Sequence, residues 1–317
     1  MIQPLLPAEL SVQDFDNLHD DLPAWREAMA VLAAELAVEL SAEPEADTGT
    51  VVQVAEGTVL VALWGADRVI KLYPPHLRDH CLFERAALRQ LHGRLSLPTP
   101  ALLAFGDHHG WPYTVMSRLQ GEVLTPQWAA WPEPARCQLL HELGALAAQV
   151  HALPVGELAA LAPPWDSFLR GQRERCLTRH QRTGLPAHLL QQLESFLDPL
   201  SVADLMPGPY VTLTGEYTPM NLMVQGECLS GMFDFGDGLV GPPEYDWLGP
   251  LCFLAAGQAT RCRAFLSGYG AVLDDALRLR LMRLLLLHRY SHLTAQLALA
   301  DWQQQPDFES LAQALWP

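Results

Sequence analysis

The sequence predicts an α+β fold, with a small β-rich part ahead of a larger helical one. Three observations carry that expectation. Between residues 50 and 73, short β-prone runs are punctuated by turn signals. From residue 135 onward, apolar residues recur at helical spacing through most of the chain. The strand-like stretches of that second half, 209–213, 221–225 and 229–235, crowd around one polar loop. Runs of strands followed by runs of helices favour α+β. A chain of 317 residues, half of them apolar, can also bury a sizeable core.

Taken in order, residues 22–41, LPAWREAMAVLAAELAVELS, place apolar side chains at helical spacing and leave Glu27, Glu35 and Glu39 for solvent. The following AEPEADTGT reads as a polar linker. Runs at 50–54, 58–63 and 69–73, separated by EG and GAD, predict an antiparallel meander. Residues 76–95, bounded by Pro75 and Pro98, predict a helix. ALLAFGDHHGWPYTVMSRL alternates as two strands joined at DHHG. After Gly121 the texture changes. A helix is expected over 135–153, with Leu139, Leu143, Leu146 and Val150 on one side. Others are expected at 165–182, 186–200, 246–256, 259–269, 272–299 and 306–315. There is no internal repeat. The expected division is an acidic helical extension over 1–46, a β-rich lobe over 47–118 and a helical lobe over 119–317.

The formal net charge is −16, which argues against a nucleic-acid partner, because phosphate backbones need a basic surface. The distribution limits any further use of that number. Residues 1–50 hold eleven acids against Arg26 alone, so −10 of the −16 lies there. No apolar run approaches the ~18 residues of a membrane span. The Leu-rich stretch 277–299 is interrupted by Arg278, Arg280, Arg283 and Arg289. The first ten residues lack the charged start and apolar stretch of a secretory signal. The expectation is a cytoplasmic protein with no membrane partner. Its six cysteines, without Cys-x-x-Cys pairing, read as buried reduced thiols. His288 and His292 sit four apart, but no glutamate follows the first, so an ordinary amphipathic face is preferred to a zinc site.

Four features line up along the chain. Lys71 lies in the third strand of the meander and Glu84 in the helix after it. Glu216 and Asn221 stand five apart in TLTGEYTPMNLMVQ, and Asp234 closes GMFDFGDG. Each alone has a bland reading: a solvated strand-end charge, a helix-surface acid, a turn aspartate. Their chemistry together is that of phosphoryl transfer. A triphosphate needs a cation, which Lys71 supplies, and Glu84 is placed to orient it. Magnesium prefers oxygen ligands and takes few carboxylates, a demand that Asn221 and Asp234 meet. A further acid, Glu216, would orient the attacking hydroxyl and accept its proton.

On these residues the chain resembles the aminoglycoside phosphotransferase and choline kinase branch of the protein-kinase-like superfamily. In that branch a catalytic loop reads His-Gly-Asp-x-x-x-x-Asn, and a later Ile-Asp-Phe/Trp supplies the metal-binding aspartate. Here the loop reads Thr214-Gly215-Glu216, with Asn221 at the matching spacing, and Phe233-Asp234-Phe235-Gly236 follows. GPPEYDWLGP resembles the segment whose aspartate, here Asp246, braces the catalytic loop. The resemblance covers about residues 50–300. It implies a two-lobed protein-kinase-like fold, ATP or GTP with Mg2+ as cofactors, and a small-molecule hydroxyl substrate. It further implies nucleotide contacts at Gly57 and Thr58, and a hinge at YTVMSRLQG. Met116 would lie against the base there, with backbone groups of Ser117 and Leu119 at its edge.

The loop departs from the pattern twice, with Thr214 for histidine and Glu216 for aspartate. Glutamate keeps the carboxylate but adds a methylene and a torsion, so its placement loosens unless the pocket is reshaped. Two readings follow: a working small-molecule kinase, or a nucleotide-binding pseudokinase that serves as a protein-interaction module. Asp237, Glu244 and Trp247 would suit a cationic hydroxyl acceptor, though surface acids and a core tryptophan explain them as well.

Overall fold

The computed structural model describes residues 6–7, 9–39, 51–54, 57–198, 203–206, 208–215, 217–297 and 299–317. It divides into two compact units, Met1–Arg94 with Pro98–Gln120, and Leu95–Leu97 with Gly121–Pro317.

The first unit is built on an antiparallel sheet of β1 (Val51–Val54), β2 (Leu60–Trp64), β3 (Arg68–Leu72), β4 (Leu102–His108) and β5 (Trp111–Ser117). The strands lie in the order β1-β2-β3-β5-β4. The second strand begins at Leu60 rather than at 58, because Gly57 turns the chain with φ +120°. Side chains on a strand alternate between faces. One face presents Leu60, Ala62, Ile70, Leu72 and Val115 to Trp25, Met29, Leu32 and Leu36 of the helix Leu22–Glu39. The last two residues of the predicted 22–41 helix and the linker after it lie outside the described residues.

The opposite face carries Val61, Lys71 and Thr114 in register, with Val69 opposite Met116. Cys81 of the helix Arg78–Leu91 packs against Val61 on this side. A helix not predicted from sequence, Val12–Asp20, precedes these elements. Its N-cap Ser11 accepts from the Asp14 amide, a local signal readable in SVQD, and Phe15 joins the core.

The second unit is mostly helical. Its helices include Glu133–Ala152, Trp165–Arg182, Ala187–Phe196, Glu244–Phe253, Ala259–Tyr269 and Phe308–Leu315, close to the predicted spans. The long helix expected over 272–299 is instead two, Asp275–Leu286 and Leu293–Gln296. The break has a physical cause. The Leu286 carbonyl, at the end of the first piece, accepts from Arg179 Nη2 at 3.0 Å and faces His180 Nε2 at 3.0 Å. Side chains from a neighbouring helix thus satisfy a terminal carbonyl that the next turn would otherwise take.

Five short strands are β6 (Glu122–Val123), β7 (Val211–Leu213), β8 (Leu222–Gln225), β9 (Cys228–Met232) and β10 (Leu239–Gly241). β8 and β9 form the expected hairpin, with β6 on its edge, whereas β7 pairs with β10. Pairing on β9 stops at Met232, two residues before Asp234.

Helices Glu133–Ala152 and Ala259–Tyr269 cross closely through two glycines. A Cβ on Gly144 would lie 2.0 Å from the Phe265 carbonyl oxygen, and one on Gly268 would lie 1.9 Å from that of His141. Both obstacles are backbone, so neither can rotate away. None of the six cysteines is in a disulfide. Among the described residues no helix is long and apolar enough to cross a membrane. Gly268→Ala is expected to force the two helices apart, at a cost on the order of 1–3 kcal/mol. Thermal melting would read this as a fall of several degrees, and an unchanged midpoint would contradict the close crossing.

Candidate active site

In the first unit the predicted lysine and glutamate meet. Lys71 Nζ donates to Glu84 Oε1 at 2.8 Å, with Lys71 only 6% exposed and Glu84 wholly buried. The other carboxylate oxygen, Oε2, accepts from the Tyr73 hydroxyl, so each oxygen has its own donor. A buried carboxylate is tolerated only when its oxygens are bonded in this way. One turn before Glu84, burial pushes the Cys81 thiol up to about 11. It therefore stays neutral and does not compete with Glu84 for the ammonium. Tyr73 was not singled out by sequence reasoning. A second signal was also overlooked: Lys71 is the only lysine in the chain, and the other nineteen of the twenty basic residues are arginines.

The remaining nucleotide candidates of this unit are more dispersed. Gly57 and Thr58 lie in the bend before β2, both exposed. Met116 is buried in β5, on the same sheet face as Lys71. Ser117 anchors the edge strand: its amide donates to the Ala101 carbonyl at 2.9 Å, and its hydroxyl accepts from the Ala101 amide at 2.8 Å. That amide is therefore not open to a base. Leu119, just past β5, is half-buried.

In the second unit the loop is held by Asp246. Its carboxylate projects from the helix Glu244–Phe253 and is 2% exposed, so its role is more than a helix cap. Oδ1 accepts from the Gly215 amide at 2.8 Å and Oδ2 from the Thr214 amide at 2.9 Å. The Thr214 hydroxyl reaches the same Oδ2 at 3.4 Å. His151 Nε2 donates to Oδ2 at 3.1 Å, and its Nδ1 faces the Tyr269 hydroxyl at 3.0 Å. His151 escaped the sequence reading because a lone histidine at a helix end carries no local motif.

Gly215 has φ +73°, and a Cβ there would come within 3.1 Å of the Asp237 carbonyl oxygen, so the position demands glycine. Glu216 lies outside the described residues. At the far end of the loop, the Asn221 amide donates to Thr218 and its carbonyl accepts from Phe233 at 3.1 Å. That backbone link ties Asn221 to the residue before Asp234. Asp234 itself adopts φ +69°, a left-handed conformation that costs an ordinary residue on the order of 1–2 kcal/mol. Strain of this kind is characteristic of functional turns. A carboxylate and a carboxamide are the kinds of oxygen donor that magnesium prefers. The described residues hold no cluster of three His, Cys, Asp or Glu side chains suited to a metal, and magnesium does not need one.

The acids suggested for a cationic acceptor are already engaged. Asp237 Oδ1 accepts from Arg289 at 3.2 Å and from the Tyr290 hydroxyl at 2.8 Å, and Glu244 pairs with Arg280 at 3.0 Å. Trp247 is 4% exposed, with its ring 4.5 Å from that of Tyr269. His288 and His292 are separated by the helix break, so they are not a helical i, i+4 pair.

The sequence profile of the phosphotransferase enzyme family, APH, matches residues 50–282. Similar solved structures include aminoglycoside 2'-phosphotransferase-IIIa bound to GDP, with TM-score 0.65 and 19% identity over 90% of this chain and 98% of that one. APH(2'')-IIa in a ternary complex with streptomycin and ATP has TM-score 0.61 and 17% identity, over 81% of this chain and 91% of that one. The macrolide 2'-phosphotransferase MphH from Brachybacterium faecium, an apoenzyme, has TM-score 0.58 and 21% identity over 80% and 87%. No curated protein sequence is similar enough to match. The fold is protein-kinase-like, and the class is phosphotransferase. The chain belongs to the phosphotransferase enzyme family.

Beside Asp237, the His288 ring stacks on Tyr245 at 4.6 Å, and its Nδ1 accepts from the Tyr290 amide at 3.3 Å. Burial, reinforced by Arg289 and Arg179, pushes the imidazole down to about 3. The folded protein therefore keeps His288 neutral where the unfolded chain, with its ordinary value near 6.5, binds a proton. Stability from this group is intact above pH 6.5 and is lost as pH falls from there toward 3, by at most about 1.4 kcal/mol per pH unit. Urea midpoints measured from pH 7 to 5 should fall, and His288→Phe should flatten that slope. An unchanged slope in the variant would contradict the neutral, buried imidazole.

Proposed function

We propose that this protein is an ATP- or GTP-dependent small-molecule kinase that transfers the γ-phosphoryl group to a hydroxyl of its acceptor. The observation that carries the proposal is the buried Lys71–Glu84 pair. Fold stability gains little from such a pair, because desolvation offsets the attraction. A site that must hold one ammonium in a fixed place for a polyphosphate gains a great deal. That the only lysine in the chain stands there supports the reading.

Lys71, oriented by Glu84, binds the nucleotide phosphates, and Met116 lies against the base. Asn221 and Asp234 would hold magnesium, which when bound would neutralise charge on the phosphate oxygens. Glu216 orients the acceptor hydroxyl and takes its proton. As the acceptor oxygen bonds to the γ-phosphorus, the bond to the bridging oxygen breaks and the nucleoside diphosphate departs. Asp246 acts through the loop. With Thr214 and Gly215 fixed against it, the residue that follows needs little rearrangement at the moment of transfer.

The lone lysine permits a clean test. A nucleotide acyl-phosphate probe should modify one lysine-containing peptide, and ATP or GTP with magnesium should protect it. Modification that nucleotide does not prevent would count against the proposal. Glu216→Gln should lower turnover by about 100-fold or more, on the scale of general-base catalysis, while protection of Lys71 is retained. Nucleotide protection without any phosphorylated product across amino sugars, amino alcohols and hydroxy acids would turn the assignment to a binding protein.

A further inference from the structure

The sheet of the first unit has an open edge beside two arginines that meet no acceptor. β4 is the outermost strand, and among the described residues its outer side pairs with no other strand. Its pairing irregularity lies at its start, between Leu102 and Ala104. From Ala104 to His108 the strand keeps register with β5 and contains neither lysine nor proline, two residues that commonly blunt a free edge. Leu103 and Phe105 are 43% and 41% exposed.

The helix Arg78–Leu91 lines this edge. Arg78, Arg85 and Arg89 stand seven and four apart, so they share one helix face. Arg78 donates to Asp107 Oδ2 at 2.7 Å and to the Gly110 carbonyl at 3.0 Å, and Asp107 is the only acid in β4. The other two rest on Phe105, with guanidinium carbons 3.7 Å (Arg85) and 4.8 Å (Arg89) from its ring centre. Among the described residues neither has a hydrogen bond or a carboxylate, and the Arg85 Nε is buried without a partner. Stacking on a ring holds a guanidinium in place but leaves the N–H groups at its rim unbonded. Phe105 pairs in register with Thr114, and Thr114 with Lys71, so the stack lies on the sheet face opposite the helix Leu22–Glu39.

We propose that the β4 edge docks an acidic, extended segment of a partner protein, which adds a strand to the sheet and sets its carboxylates against Arg85 and Arg89. Main-chain bonds along Ala104–His108 supply the pairing, and side chains at alternate positions of the added strand supply the selectivity. A carboxylate matches the fork of each guanidinium, and Phe105 offers apolar surface between them. Charge selects against the simplest alternative occupant, a second copy of this chain. Antiparallel β4–β4 pairing would set two pairs of unneutralised arginines on the same side of one joined sheet, and like charges across an interface are costly. The inference is independent of the kinase reading.

The test is fluorescence anisotropy of a labelled short peptide alternating glutamate and valine, titrated with the full chain, with hydrogen exchange to locate it. Saturable binding is expected, with slowed exchange of those amides in 104–108 that do not bond β5. A peptide with lysine in place of glutamate should bind about tenfold more weakly or worse. An acidic peptide N-methylated at alternate amides, which cannot pair as a strand, should lose a similar factor. Arg89→Gln, at an exposed position, should weaken the acidic peptide by about tenfold, and Arg85→Gln likewise. Arg26→Gln, the same charge change on the helix over the other sheet face, should leave the affinity unchanged. No saturable binding, equal affinity for the lysine or N-methylated peptide, protection outside β4, or indifference to Arg89→Gln would each overturn the inference. A dimer of the chain alone that shields the same amides would assign the edge to a second copy and overturn it as well.

Discussion

The helical unit depends on one buried carboxylate. Asp246 has almost no contact with water, so its oxygens must find donors within the protein. They find the Thr214 and Gly215 amides and the imidazole of His151. Each donor comes from a different structural constraint. The amides face Asp246 because Gly215 can adopt φ +73° and sit against Asp237. The imidazole arrives because two helices cross through Gly144 and Gly268, close enough for His151 to meet the Tyr269 hydroxyl. Helix packing and loop conformation are therefore one coupled arrangement. Such satisfied buried networks rigidify what they touch.

The sheet unit solves a related problem with a different side chain. Its two faces are divided by the strand period. Trp25, Met29, Leu32 and Leu36 seal one, leaving Lys71, Thr114 and Met116 on the other. Glu84 is buried there with one donor on each oxygen. Those donors are what keep a carboxylate tenable at this depth.

Much of this was legible in the sequence, and the rest was not for identifiable reasons. Helices 165–182 and 259–269 were readable to the residue, because apolar periodicity is a local property. The helix expected over 272–299 was misread: its end is imposed by Arg179 and His180, more than a hundred residues away. The Lys71–Glu84 meeting was readable because thirteen residues of strand and helix separate the two. Asp246 was readable only through family resemblance, since nothing local says that a carboxylate inside a helix reaches back thirty residues to a loop. That Asp237 is engaged is not legible in the sequence, because its partners, Arg289 and Tyr290, lie in that same helix break, about fifty residues on. Strand partners are not legible in short runs either. β7 lies next to the hairpin in sequence but pairs with β10, and pairing depends on register that a short run does not encode.

The choice of cation at each site follows from the number of acceptors offered. Lys71 meets one oxygen of Glu84, and Tyr73 donates to the other. A monodentate, deeply buried acceptor suits a compact ammonium, whereas a planar fork would bring extra N–H groups that the apolar surroundings cannot satisfy. Elsewhere the chain uses arginine nineteen times, at helix ends, over aromatic rings and on carboxylates, where several donors find several acceptors. Arg289 is one of these, donating to Asp237 while its guanidinium lies over the Phe168 ring. A cation matched to its acceptor is structural or catalytic in a fixed place. The same rule thus explains why one lysine persists among nineteen arginines: its carboxylate acceptor lies where a fork of extra donors would go unmet.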